Sequence, residues 1–178
     1  MSDQWPAVSD AELERGGWRL ADQTRERLFE LPRVTVDGHT RLYEEPSVGE
    51  QFDTDEPLCF FFATRLAFQP ELPGGASRLV EPMIRSRARS QFLDDLRERG
   101  FADLQYRTDD DFRTADGHGG QLTTVRGRCR VGDRMLDATG WLAVWQNEGF
   151  FVAGGGYPRI DTERNYREEL LTLIRNVR

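Results

Sequence analysis

Residues 121–154 read QLTTVRGRCRVGDRMLDATGWLAVWQNEGFFVAG and contain three runs rich in β-branched, aromatic and other apolar residues. Short turn signals separate these runs: Gly132-Asp133 lies between the first and the second, and Asn147-Glu148-Gly149 lies between the second and the third. This spacing predicts an antiparallel meander of three strands, over Gln121–Val131, Arg134–Trp145 and Gly149–Gly154.

The residues after the meander are typical of a turn followed by an amphipathic helix. A glycine run, Gly154-Gly155-Gly156, precedes Pro158, and Asp161 or Thr162 is placed to cap the helix N-terminus. Apolar side chains then recur at helical spacing, at Tyr166, Leu170, Leu173, Ile174 and Val177. We expect this helix to run to the C-terminus and to pack on the sheet.

A longer amphipathic helix is predicted before the meander, over about residues 76–99. Its apolar stripe has i+4 spacing and consists of Val80, Ile84, Ala88, Phe92 and Leu96. Pro82 is tolerated in the first turn of a helix, so we expect the regular helix to start near Glu81. Gly100 is expected to end it in the left-handed conformation.

Two further strands flank this helix. Leu58–Phe68 is apolar on both strand faces, which predicts a central strand covered on both sides. Phe101–Tyr106 reads as a strand, and we expect a polar loop around Asp109-Asp110-Asp111 to follow it.

The N-terminal third shows a capping box, a segment of ambiguous structure and a hairpin signal. Ser9-Asp10-Ala11-Glu12 is the capping box, and Gly16-Gly17 should stop the helix after little more than one turn. Residues 18–31 fit either a helix or a strand, and we favour a strand over residues 24–31 because Pro32 would end it. Asp37-Gly38 then predicts a hairpin turn between Arg33–Val36 and His39–Glu44.

These elements predict one globular domain over residues 1–178, of the α+β class. It would have an antiparallel sheet of about seven strands, with a long middle helix and a C-terminal helix packed on it. With its Trp141–Trp145 strand, the Phe150–Ala153 strand and the Tyr166–Val177 run, this order resembles the PsbP/Mog1-like fold. The chain also resembles an uncharacterised haloarchaeal protein family.

The resemblance to the PsbP/Mog1-like group implies a non-catalytic role. Members of that group are mainly photosystem extrinsic subunits and a binding factor for a small GTPase. None of their functional residues matches a position in this sequence, so the resemblance implies no site residue here.

All 24 basic residues are arginine, since the sequence has no lysine, and 31 Asp and Glu residues outnumber them. The missing lysine excludes Schiff-base enzymes and P-loop phosphate sites, which need that amine. The acidic excess argues against nucleic-acid binding. No run approaches the ~20 apolar residues of a membrane span, and no secretory signal is visible, so we expect a soluble cytoplasmic protein. Arginine as the sole cation in an acidic chain is expected of a halophilic archaeon or of a bacterium with a very high-GC genome, and a halophilic source is the hypothesis to test.

No metal or cofactor site is predicted. His39, His118, Cys59 and Cys129 could form a zinc site by residue type, but each is at least 11 residues from the next, whereas zinc ligands normally come in closely spaced pairs. We expect the cysteines to be buried thiols and the histidines to face water. The triplet Asp109-Asp110-Asp111 lacks the remaining ligands of a calcium loop, so a solvated acidic loop is expected.

Three arginines are candidate ligand- or partner-binding residues. Arg65 lies in the apolar strand, where an unpaired charge is costly, so it should reach the sheet edge or pair with a carboxylate, and it could help to line a pocket. Arg85 and Arg89 lie one helical turn apart and repel each other. They should either pair with carboxylates, which the acidic composition favours, or bind an anion.

Three aromatic residues complete the set of candidates. Trp141 and Trp145 share a strand face, and Tyr157 follows the glycine run. Such residues usually pack in a core, and the alternative is an aromatic platform for a ligand. The glycine run could form a nest of N–H groups for an anion, although a bulge or sharp turn is commoner.

Two functions remain open from the sequence, and no catalytic residue is assigned. The first is a non-catalytic binding or accessory module that holds a protein partner, or a small apolar or anionic ligand, on a sheet face or the meander loops. The second is a small enzyme or ligand-transfer protein with a pocket between helix and sheet. A deep apolar pocket containing Arg65 and a histidine would favour the second function, and a filled core with an exposed aromatic patch would favour the first.

Overall fold

The computed structural model describes residues 4–160 and 163–178, without the side chain of Phe29. The described strands are β1 (Arg19–Leu31), β2 (Val34–Glu45), β3 (Cys59–Gln69), β4 (Phe101–Arg113), β5 (Gly119–Val131), β6 (Arg134–Gln146) and β7 (Phe150–Pro158). The described helices are α1 (Asp10–Gly16), α2 (Ser47–Gln51), α3 (Ser77–Glu98) and α4 (Tyr166–Arg175). The predicted α+β class, with a long middle helix and a C-terminal helix, is confirmed. None of the described helices is long and apolar enough to cross a membrane.

The seven strands form one sheet in the order β1-β2-β3-β7-β6-β5-β4, and every neighbouring pair is antiparallel. The meander β5-β6-β7 is confirmed, and it joins the N-terminal strands where β7 pairs with β3. β3 therefore lies inside the sheet, which explains why both of its faces are apolar.

A helix packs on each face of this sheet. On the face of the sheet that α3 covers, which we call the α3 face, lie Phe60 and Phe62 of β3. Phe92 of α3 lies close to Gly140 of β6 on this face, because a Cβ added to Gly140 would be 3.1 Å from the Phe92 ring. The α4 face carries Phe61 of β3, and a Cβ added at Gly155 would lie 2.9 Å from a methyl group of Leu170 in α4. The predicted apolar stripe of the last helix is buried: Tyr166, Leu170, Leu173 and Ile174 belong to α4, and Val177 follows it. The helix ends at Arg175 and does not run to the C-terminus as predicted.

The predicted hairpin turn at Asp37-Gly38 is wrong. The turn between β1 and β2 lies at residues 32–33, where Arg33 has a φ of 71°, and Gly38 pairs with residues of β1 and β3 inside the sheet. A Cβ at Gly38 would lie 2.6 Å from Cδ1 of Leu28. Gly38 thus serves the close approach of a neighbouring side chain rather than a turn. The strand favoured over residues 24–31 is confirmed, and it starts earlier, at Arg19.

The boundaries of α3 and β4 also differ from the prediction. α3 begins at Ser77 rather than near Glu81, and Pro82 lies inside it, where its missing N–H costs one hydrogen bond. Gly100 follows the helix in the left-handed conformation, with a φ of 86°, as predicted. The expected loop at Asp109–Asp111 is wrong, because β4 continues through these residues to Arg113 and pairs with β5.

β7 runs through the glycine run to Pro158. Residues 154–156 pair with β3 on one side and β6 on the other, so their backbone groups are used in the sheet and do not form an anion nest. Asp161 and Thr162, predicted to cap the last helix, lie outside the described residues. The cap of α4 is Asn165, whose side chain accepts from the Glu168 N–H at 3.2 Å. The predicted cap of α1 is confirmed, since Ser9 accepts from the Glu12 N–H at 3.4 Å.

Candidate functional site

A cavity of about 610 Å³ lies on the α3 face, where α3 leaves the β1–β2 end of the sheet uncovered. One wall is α3 and the other is β1, while β2 and β3 form the floor. The connection from β3, in the middle of the sheet, to β4, at its far edge, carries α3 over the half of the sheet formed by β7, β6, β5 and β4. We call this space the α3 cavity.

A row of threonines crosses the floor of the α3 cavity. Thr24 pairs with Thr40, and Thr40 pairs with Thr64, so their side chains lie on one face of three adjacent strands. The hydroxyl oxygens of Thr40 and Thr64 are 2.8 Å apart. The apolar residues of the lining are Leu28, Leu42, Phe60, Phe62, Leu66, Ile84, Ala88, Phe92 and Val152.

Both walls of the α3 cavity carry carboxylates. On β1, Asp22, Thr24 and Glu26 occupy every second position, so their side chains point to the same face of the sheet. On α3, three acidic residues lie within little more than one turn, namely Asp94, Asp95 and Glu98. The lining contains two guanidinium groups, from Arg87 and Arg99. Five carboxylates against two cations give the cavity an acidic rim above an apolar floor.

The half-buried Asp95 carboxyl has a raised pKa. Burial is the largest cause, and the negative charges of Glu98 and Glu26 raise the pKa further. A hydrogen bond from the Gln91 amide, at 2.8 Å, and the charge of Arg99 act in the opposite direction. Because Glu26 lies on β1 and Asp95 on α3, the carboxylates of the two walls interact across the cavity.

Arg99 occupies one end of the α3 cavity. Its guanidinium lies 4.1 Å from the ring centroid of Phe60, and its Nη1 is 3.8 Å from Oε1 of Glu44. Burial lowers the pKa of Arg99, while Glu44 and Asp95 raise it. The Arg99 guanidinium therefore already contacts Glu44 of β2 and the Phe60 ring of β3.

Arg65 lies on the opposite, α4 face, in a row that crosses four strands. The paired residues in this row are Trp145, Phe151, Arg65 and His39. The Trp145 and Phe151 rings stack at 5.5 Å, and the Arg65 guanidinium lies 5.7 Å from the Phe151 centroid. Trp5 covers His39, with ring centroids 5.2 Å apart.

A second groove, of about 1280 Å³, lies where β3 extends beyond the start of β7. Arg65 and Trp5 line it together with residues 70–75 of the loop before α3. It is wider and more open than the α3 cavity, and no histidine of the described chain lines it. The structure thus places Arg65 beside a groove, but not in a closed apolar pocket with a histidine.

The expectation that His39 faces water is wrong. His39 lies inside β2 and is 2% exposed, because residues 37–39 continue the strand instead of forming a turn. Within residues 4–160 and 163–178, neither of its ring nitrogens has a well-aligned hydrogen bond. Burial lowers the pKa of His39, as do the charges of Arg25 and Arg65, whereas Asp37 and the Gln4 backbone raise it.

The two candidate arginines of α3 are paired with carboxylates. Arg85 Nη2 is 2.5 Å from Oε1 of Glu81, and Arg89 Nη2 is 2.9 Å from Oδ2 of Asp109. Arg89 also lies 4.5 Å from the ring centroid of Tyr106. Both arginines therefore have the carboxylate partners that the acidic composition predicts.

The candidate aromatic residues are packed in the core on the α4 face. Trp141, Trp145 and Tyr157 are 8%, 2% and 9% exposed. They do not form an exposed platform, because α4 and the N-terminal segment cover this face. The predicted site residues consequently lie on both sides of the sheet and do not form one site.

Cys59 and Cys129 are free and buried, as expected. Burial raises the pKa of the Cys129 thiol to about 11, and burial raises that of Cys59 as well. His118 lies in the turn between β4 and β5, where its backbone N–H donates to the Thr114 hydroxyl at 3.0 Å. Among the described residues, no group of three or more His, Cys, Asp and Glu side chains is arranged to hold a metal ion.

Sequence reasoning missed the residues that line the α3 cavity. In the sequence, Asp22, Thr24 and Glu26 occupy every second position and form a polar face of a strand. Asp94 and Asp95 form part of a polar face of a helix. Either pattern alone is typical of solvated surface. Only the crossing of α3 over the sheet brings the two faces opposite each other.

Comparison with known families gives a match over almost the whole chain. The family model described as "Domain of unknown function (DUF6517)" matches residues 5–178. A search of the curated proteins finds no match.

Proposed function

The chain belongs to the DUF6517 family, and we propose that it is a non-catalytic binding module that holds the apolar part of a small ligand in the α3 cavity. The observation that supports this function is the cavity itself, whose volume of about 610 Å³ falls in the range of ligand pockets. Its apolar lining supplies the binding energy, and its threonine hydroxyls and carboxylates supply polar partners at defined places.

The chemistry of the lining favours binding over catalysis. No histidine or cysteine of the described chain lines the α3 cavity. Among the described residues, the hydroxyl groups of Thr40 and Thr64 hydrogen-bond to each other rather than to a base of the kind that activates nucleophilic hydroxyls. A ligand-transfer protein is the second candidate, because the cavity lies between a helix and the sheet.

The test uses 1-octanol as an uncharged apolar probe. Backbone amide NMR shifts should change on titration, and the changes should concentrate at Thr24, Thr40 and the facing turns of α3. Thr24→Trp places a large side chain inside the cavity and should weaken octanol binding at least about fivefold by occupying the site.

Thr35→Trp is the matched control, because Thr35 is a partly buried strand threonine on the α4 face. It should bind octanol like the wild type. Shift changes spread evenly over the protein, or equal binding by the two tryptophan variants, would contradict the proposed site.

The proposal also covers the domain organisation, the cellular setting, the source organism and the fold kinship of the chain. We infer one domain over residues 1–178, a cytoplasmic setting and no role in nucleic-acid binding, on the basis of composition and charge. The lysine-free, acidic composition supports a haloarchaeal source. The order of elements supports kinship with the PsbP/Mog1-like fold, whose members are mainly non-catalytic binding or accessory proteins.

A further inference from the structure

We infer that the ligand of the α3 cavity is an organic cation, an amine or ammonium group attached to an apolar chain or ring. This inference rests on the proposed function and adds the charge of the ligand and its place. The positive group would lie between the carboxylates of β1 and those of α3, and the apolar part would lie on the floor.

The charge balance of the lining supports a cationic ligand. Arg99 is engaged by Glu44 and the Phe60 ring, and Asp94 pairs with Arg97 at 2.9 Å. In the described part of the chain, no ion pair involves the remaining carboxylates of the lining, which are Asp22, Glu26, Asp95 and Glu98. The lining therefore holds an excess of negative charge, with five carboxylates against the guanidinium groups of Arg87 and Arg99.

The position of these carboxylates indicates where the cation binds. Glu26 and Asp95 stand on opposite walls, and their charges repel each other across the gap. A cation between them replaces this repulsion with two attractions, whereas a carboxylate or phosphate there would add to it. The floor directly below is apolar apart from the threonine row, so the same ligand needs an apolar body.

An organic cation fits this arrangement better than a metal ion. A bound metal needs several oxygen ligands at about 2–2.6 Å from one point. The described carboxylates of the lining do not converge in such a group. They are spread along two walls, which suits a larger, diffuse cation on an apolar chain.

The experiment compares octylammonium, 1-octanol and octanoate, which share one alkyl chain and differ in charge. Affinities are measured by calorimetry or NMR titration at low ionic strength. We expect octylammonium to bind about five- to tenfold more tightly than octanol, and octanoate to bind more weakly, since an exposed ion pair contributes only modestly to affinity. This preference should fall as salt is added.

Two variants locate the cation. Glu26→Gln and Asp95→Asn should each reduce the ratio of octylammonium to octanol affinity at least about twofold, because each removes one charge at the proposed position. Asp111→Asn is the matched control for Glu26→Gln, since both residues are exposed acids on edge strands of the same sheet. It should leave the ratio unchanged.

The outcomes separate this inference from the proposed function. If octanol does not bind, the proposed function is wrong and the charge inference is wrong with it. If octanol binds in the cavity but octylammonium binds no more tightly, only the charge inference is overturned. If Asp111→Asn lowers the ratio as much as Glu26→Gln and Asp95→Asn do, the cation is attracted by net charge alone and the proposed position is wrong.

Discussion

The guanidinium of Arg164 donates to both carboxylate oxygens of Glu169, at 2.7 Å in each case. The same guanidinium has Nη1 3.4 Å from Oε1 of Glu45, donates to the Gly16 carbonyl and lies 4.5 Å from the Tyr166 ring centroid. One cation thereby connects α1, β2 and the start of α4. Its hydrogen bonds with Glu169 raise its pKa, so Arg164 stays charged throughout the working range of pH.

Arg164→Gln should lower the free energy of unfolding by about 1–3 kcal/mol. The Glu45 side chain is only 3% exposed, so removing its cation leaves a buried carboxylate with fewer partners. The value is below that for a fully buried pair because the Arg164 side chain is 26% exposed. Urea unfolding of both proteins at neutral pH measures the difference. Arg15→Gln is the control, because Arg15 is exposed and its Nη1 lies 3.1 Å from Oε1 of Glu12, and it should change stability by less than about 0.5 kcal/mol. Equal losses in the two variants would contradict the connecting role of Arg164.

Gly155→Ala should destabilise the protein by about 2–3 kcal/mol. A Cβ at this position would run into the Phe60 carbonyl oxygen and lie 2.9 Å from Leu170 Cδ1, so β3 or α4 would have to move. Thermal and urea unfolding measure the loss. Gly74→Ala is the matched control, because a Cβ at Gly74 meets nothing within 4 Å, and it should be close to neutral. A neutral Gly155→Ala would show that α4 does not pack closely on β7.

Several features that were predicted correctly depend only on neighbouring residues in the sequence. Ser9 caps α1 by accepting a hydrogen bond from a residue three positions later. Gly100 takes a positive φ in the short turn that follows α3. The dipeptide Asp37-Gly38 gave a wrong turn because its glycine serves a contact with Leu28 on the adjacent strand. The actual turn contains Arg33 at a positive φ, a residue that carries no strong turn signal.

His39→Gln should flatten the pH dependence of stability below neutral pH. The unfolded chain protonates this histidine near pH 6.5, whereas burial and the charges of Arg25 and Arg65 lower its pKa in the folded protein. The unfolded state thus binds more protons between the two pKa values, and the contribution of His39 to stability falls as the pH drops from about 6.5 to the folded pKa. Below the folded pKa this loss stays constant. Asp37 raises the pKa and limits the effect.

The measurement is urea unfolding at several pH values from about 7.5 to 5 for the wild type and His39→Gln. His118→Gln is the control, because His118 lies in the β4–β5 turn, away from this cluster of charges. It should retain the wild-type slope. If His39→Gln keeps that slope as well, the buried imidazole does not govern the acid sensitivity of the protein.

The candidate site was harder to predict than the fold, for a physical reason. Glu26 and Asp95 face each other only because β1 pairs at the sheet edge and α3 crosses the sheet after β3. In sequence each belongs to a polar face that looks solvated. Arg65 stood out because a charge is unusual in an apolar strand, and Trp145 stood out because it shares a strand face with Trp141. The structure explains both by packing on the α4 face, with Phe151 between them.

Potassium chloride should raise the melting temperature over the whole range from low salt to about 3 M, if the lysine-free composition reflects a halophilic source. The net charge of -7 predicts some stabilisation by simple screening, because the carboxylates repel one another. Screening is nearly complete by about 0.5 M, where the Debye length is only about 4 Å. The range above that concentration therefore distinguishes adaptation from screening.

A plateau above about 0.5 M would mean that the acidic surface needs only its charges screened, and the halophilic interpretation would then be wrong. A continued rise would show that the carboxylate-rich surface requires concentrated salt.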